Sequence, residues 1–140
     1  MSASLSPIMA SINVAIGGAI GAVLRYQLGR GMTEWMSAPV VGAFPFATLA
    51  ANAIGSLLMG VLAGWLARHG GEGSVAPDQL RLLLGAGLLG GFTTFSAFSL
   101  EMVLLIERGQ YLFASLYVIL SVALGISGLL VGLNLTRLFS

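Results

Sequence analysis

The sequence predicts an all-α integral membrane protein with four transmembrane helices, and three observations predict it. Hydrophobic residues make up 57% of the chain and charged residues 8%, with a mean hydropathy of +0.98, so there is too little polar surface to cover a water-soluble globule of 140 residues. The apolar residues gather in four runs, each long enough for a hydrocarbon core that takes roughly 20 residues to cross. Every run is apolar throughout rather than alternating, so its backbone groups are satisfied within a helix and not between the strands of a barrel.

The expected spans are residues 8–29, 44–67, 80–106 and 111–136, and the chain 1–140 reads as one domain built from them. Turn-formers and charges fill the gaps: Gly31 to Pro39, then His69-Gly70-Gly71-Glu72-Gly73 through Pro77-Asp78, then Glu107-Arg108-Gly109. The first run lacks a positive leading region and its apolar stretch is too long for a cleaved signal, so a retained helix is expected.

Charge excludes one class and bears on orientation. All six basic residues are Arg, and five acids nearly cancel them, so no basic face exists for nucleic acid. Cysteine is absent, which removes disulfides, thiolate catalysis and thiolate metal sites. Four spans put both termini and the second connection on one side. That side carries Arg68, Arg81 and Arg137, and the other carries Arg30, Arg108 and, near the end of the first span, Arg25. So even a count gives little orienting bias. Either the chain inserts both ways and pairs with an inverted copy about a two-fold axis in the membrane plane, or a weak residual bias or a partner orients it.

Twenty glycines recur in small-xxx-small pairs: Gly17 with Gly21, Ala51 with Gly55, Gly60 with Gly64, Gly128 with Gly132. Backbones can approach closely there, within a subunit or between two. Four helices enclose little interior, so polar groups at midspan favour a dimer that supplies a second wall.

The third run is expected to break near its middle. Gly90-Gly91-Phe92-Thr93-Thr94 makes a poor continuous helix, and carbonyls freed at that depth must be buried in protein or line a watery cavity, where they can ligate a small hard cation. The competing outcome is a plain kink healed by Ser and Thr hydroxyls. Beyond it, Phe95 and Phe98 share a helical face and alternate with Thr94, Ser96 and Ser99. Phenyl edges are electropositive, so such a wall suits a small anion.

In the second run Asn52, with Thr48 one turn before it, carries an amide that either bonds a neighbouring helix or donates to an ion. Tyr117 and Ser121 make a short hydroxyl ridge in the fourth. Arg25 has three uses open to it: snorkelling, pairing with an acid, or concentrating anions at a vestibule.

The segment Gly90-Gly91-Phe92-Thr93-Thr94-Phe95-Ser96-Ala97-Phe98-Ser99, closing with Glu101, resembles the signature of the Fluc/CrcB family of fluoride channels. The likeness extends to Gly18-Ala19-Ile20-Gly21-Ala22-Val23-Leu24-Arg25-Tyr26 and to Thr48-Leu49-Ala50-Ala51-Asn52 with Gly55-Ser56. It implies an antiparallel dual-topology homodimer in the inner (plasma) membrane, with two pores that export fluoride passively and a structural sodium ion at the dimer centre. It further implies that the carbonyls of Gly90 and Thr93 hold the sodium, that Phe95 and Phe98 are the pore aromatics, and that Asn52 donates to fluoride. Tyr117 and Ser121 resemble the family's hydroxyl track in the last span, and Thr48, Thr94 and Ser96 are expected beside them along the ion path from their own placement. Ala97 stands where many relatives have Thr, and Ala47 where Gly is common.

Two rival classes fit less well. A small multidrug-resistance exporter is also a four-span dual-topology dimer, but it needs an acid deep in a helix to trade protons for drug. Here the span acid, Glu101, lies toward the end of the third run. An intramembrane enzyme needs a nucleophile and base in reach, and the single His69 falls in a glycine-rich connection. A channel rather than an enzyme is expected.

Overall fold

The computed structural model describes residues 5–70 and 75–138, and among them helix is the only regular structure. The first crossing is α1 (Pro7–Trp35). A short α2 (Ala38–Ala43) leads into α3 (Phe46–His69), the second crossing. The third is composite: α4 (Val75–Leu80), a π-helical stretch (Arg81–Leu89), α5 (Gly90–Phe92) and, after a gap, α6 (Phe95–Glu107). The fourth is α7 (Tyr111–Leu138). All four are long and apolar enough to cross a membrane.

Local chemistry sets the ends. Ser6 caps α1, its hydroxyl accepting from the Met9 N–H at 3.3 Å, with Pro7 at the first helical position. Contrary to the sequence expectation, α1 does not stop at residue 29. Gly29 and Gly31 meet nothing that would bend the chain, and the exposed Arg30–Glu34 pair at 3.1 Å supports the extra turn. The third crossing likewise begins before residue 80, because Pro77 falls in the first turn of α4, where a missing N–H costs nothing. Gly71, Glu72 and Gly73 of the expected connection lie outside the described residues.

Two glycine contacts organise the bundle. α1 lies along the first half of the third crossing so closely that a Cβ at Gly17 or Gly21 would collide with the carbonyls of Leu83 and Leu88. α3 lies along α7 in the same manner, Gly60 against the Leu129 carbonyl and Gly132 against that of Leu57. The small-residue pairs therefore pack helices within one subunit, where dispersion at close range substitutes for a hydrophobic drive that lipid cannot supply. A compact apolar cluster of Phe44, Leu105, Ala114 and Tyr117 joins α6 to α7 beneath the start of α3.

The third crossing does break, but not at its glycines. Gly90 and Gly91 remain helical, and the extended residues are Thr93 (φ −85°, ψ 159°) and Thr94 (φ −155°, ψ 125°). Gly91 is used for approach instead: a Cβ there would come within 2.6 Å of the Gly18 carbonyl. β-Branched threonine is the residue better suited to extended backbone. Thr94 also caps α6, its hydroxyl accepting from the Ala97 N–H at 3.2 Å.

Candidate functional site at the helix break

A break inside a membrane span leaves peptide groups without helical partners, and their fate defines the site. The Thr94 N–H donates to Asn52 Oδ1 at 2.8 Å, and the Thr94 carbonyl accepts from Asn52 Nδ2 at 3.1 Å. One amide thus serves both halves of the broken residue, and the pairing fixes which side-chain atom is oxygen and which nitrogen. A second hydrogen on Nδ2 is left over. On the far side, the Arg25 Nε donates to the Gly91 carbonyl at 3.2 Å. Arg25 is thus bonded to a backbone carbonyl of the third crossing rather than to an acid.

The carbonyls of Gly90 and Thr93 accept none of the hydrogen bonds that the described residues form around the break, because the Thr94 N–H has turned to Asn52 and the Ala97 N–H to the Thr94 hydroxyl. Backbone oxygens of this kind are the donor type that a small hard cation takes, and these two would supply part of such a set. No cluster of His, Cys, Asp or Glu suited to a metal occurs among the described residues.

Beside the break opens a cleft of about 350 Å³. Asn52, Ser56 and Met59 of α3 form one wall, Thr93, Thr94, Phe95 and Phe98 another, and Ser121 and Val122 of α7 a third. Among the described residues no charged side chain lines it. The Phe95 and Phe98 rings are 5.7 Å apart and tilted by 38°, yet they differ in setting. Phe95 is 79% exposed and points off the subunit, whereas Phe98 packs on Tyr117 at 5.0 Å. The Ser121 hydroxyl is buried without a partner. Ser96 lies at the exposed edge, its hydroxyl 3.3 Å from that of Thr94.

The other hydroxyls gather elsewhere. Thr48 donates to Glu101 Oε1 at 2.7 Å and Tyr117, wholly buried, donates to Oε2 at 2.6 Å. Their protons are committed to this carboxylate and not turned to the cleft. Thr48 and Asn52, one turn apart on α3, therefore support two different parts of α6. Glu101 is the residue that sequence reasoning left out of the site. The signal was available: an acid inside a span must be paired, and two hydroxyl residues of neighbouring spans were already in hand.

The chain resembles known proteins along nearly its whole length. A family model described as CrcB-like protein, Camphor Resistance (CrcB), matches residues 12–133. A fluoride-specific ion channel FluC of Erythrobacter litoralis (strain HTCC2594) is 62% identical over 140 residues, covering 98% of each chain. Proteins of the same name from Novosphingobium aromaticivorans and Phenylobacterium zucineum are 56% and 51% identical, each over 89% of this chain and over 93% and 92% of their own lengths.

Proposed function

Since this chain belongs to the CrcB-like family, we propose that it acts as its curated relatives are named, as a fluoride-specific ion channel, with the cleft at the helix break as part of its ion path. The observation that carries the reading is a cleft with donors but no formal charge. Asn52 keeps one N–H beyond its two bonds to Thr94, Ser121 keeps a free hydroxyl, and the Phe95 and Phe98 rings line the cleft beside them. Fluoride holds its water tightly, so a path must replace water with donors. Weak attraction also lets the ion leave, which a buried arginine would hinder. Arg25 is bonded to the Gly91 carbonyl and is not among the cleft residues. A drug exporter is disfavoured because Glu101 is tied to two hydroxyls outside that cleft.

The finer reading is an antiparallel, dual-topology homodimer with two pores in the inner membrane, giving passive fluoride export. Its support is the even distribution of arginines between the two sides and the apolar, outward-facing ring of Phe95 beside an open cleft. An inverted copy would close the cleft and cover that ring. Gly90 and Thr93 would hold a sodium ion through their free carbonyls, where its positive charge offsets the unsatisfied oxygens of the break. Thr94 and Ser96 remain residues of the proposed path, whereas Thr48 and Tyr117 support it from outside the cleft by holding Glu101.

The test is efflux from liposomes containing the purified protein and loaded with fluoride, with chloride as control. Fast loss of fluoride with chloride retained is expected. Equal leakage of both ions would overturn the proposal.

A further inference from the structure

At the end of the bundle away from the aromatic cluster lies a second concavity, a groove of about 430 Å³ between α3, the start of the third crossing and the end of α7. Leu62, Trp65, Leu84 and Leu88 make its walls. Thr136 is its polar lining residue, and that hydroxyl already donates to the Leu133 carbonyl at 2.8 Å. Apart from Thr136 and the single indole N–H of Trp65 the lining is aliphatic, so the groove suits a hydrocarbon chain better than a peptide or polar metabolite.

Arginines adjoin its lining residues along the chain. Arg68 follows Trp65 by three residues and so stands on the same face of α3, and Arg81 adjoins Leu80, which also lines the groove. Chain order brings both to one end of the bundle, together with Arg137. Arg68 is exposed and forms no ion pair among the described residues. The opposing charge is Asp78, which lies 3.8 Å from the Arg81 guanidinium, with both side chains more than half exposed; Glu72 lies outside the described residues. An ion pair so open to solvent holds its arginine weakly.

We propose that this groove is a site for an anionic phospholipid, the acyl chain lying along Leu62, Leu84 and Leu88 under the Trp65 indole and the phosphate held between Arg68 and Arg81. The leucine walls alone accept any lipid, and it is the arginine pair that selects a net negative headgroup over a zwitterionic one. The site stands apart from the ion path and does not depend on the ion it carries.

The chain has two tryptophans, so replacing the 84%-exposed Trp35 by Phe leaves Trp65 as the sole reporter. The full-length protein is placed in phosphatidylcholine vesicles doped with either phosphatidylglycerol or phosphatidylcholine carrying brominated acyl chains, and Trp65 fluorescence is read. The brominated phosphatidylglycerol is expected to quench at a several-fold lower mole fraction. Arg68→Gln and Arg81→Gln, made singly so that the charge balance of insertion changes least, should each reduce that preference on the order of fivefold. Unchanged quenching by brominated phosphatidylcholine in the variants shows that the groove is still formed. Equal quenching by the two lipids, a preference that survives both substitutions, or a Trp65 that neither lipid reaches because protein covers it, would overturn the proposal.

Discussion

Asn52 and Thr94 form a closed pair across two helices: the amide of Asn52 accepts from the N–H and donates to the carbonyl of the one residue at which the third crossing is most extended. Tertiary contact here repairs a secondary-structure defect, and the break persists because α3 supplies what the helix no longer does. Replacing Asn52 by Leu should leave both Thr94 groups unsatisfied and cost about 2–4 kcal/mol of stability, read by denaturant unfolding in detergent. Asn52→Asp keeps the acceptor for the N–H but sets a negative charge at the cleft. Its fluoride efflux should fall at least about tenfold with a smaller loss of stability, because like charge repels the permeant ion.

The two phenylalanines separate permeation from folding. Phe95 is mostly exposed on the subunit and Phe98 packs on Tyr117. Phe95→Ile should abolish most fluoride efflux while leaving subunit unfolding nearly unchanged. Phe98→Ala should lose efflux and also about 2 kcal/mol of stability, less than a fully buried aromatic would cost because Phe98 is partly buried. Efflux and unfolding measured on the same preparations check both.

Glu101 is expected to be an anchor whose value lies in its two donors. Tyr117→Phe and Thr48→Val each remove one hydrogen bond to the carboxylate and should destabilise by about 1.5–3 kcal/mol. In double-mutant cycles with Glu101→Gln each pair should couple, and strictly additive losses would show that the bonds carry no weight.

The glycines divide by surroundings. Gly21→Ala drives a methyl into the Leu88 carbonyl, a backbone atom that cannot turn aside, so the variant should fail to give a folded protein. Gly29→Ala meets nothing within 4 Å and should be neutral or slightly stabilising, since alanine favours helix. Thermal unfolding of the two variants tests the contrast.

Orientation can be read directly because the chain lacks cysteine. A single Gly31→Cys, at a site open on all sides, should react with a membrane-impermeant maleimide in about half of the molecules in intact spheroplasts, as even insertion requires. Complete labelling or complete protection would remove the dual-topology reading.

The sequence by itself determined the class, the four crossings and the presence of a break in the third, because each follows from composition or from the fixed thickness of a bilayer. It also carried the family, through residues clustered from Gly90 to Glu101. Only the tertiary structure decided which residues do the breaking and which hydroxyls face the cleft. Gly90 and Gly91 read as helix breakers in isolation, yet both stay helical, and at Gly91 the missing side chain serves the contact with α1. Thr48, Asn52 and Tyr117 read as equivalent donors until their partners are known. The protons of Thr48 and Tyr117 go to Glu101, whereas Asn52 meets Thr94 and retains one hydrogen. A donor can be spent only once, and where it is spent depends on distances between helices that no single helix encodes.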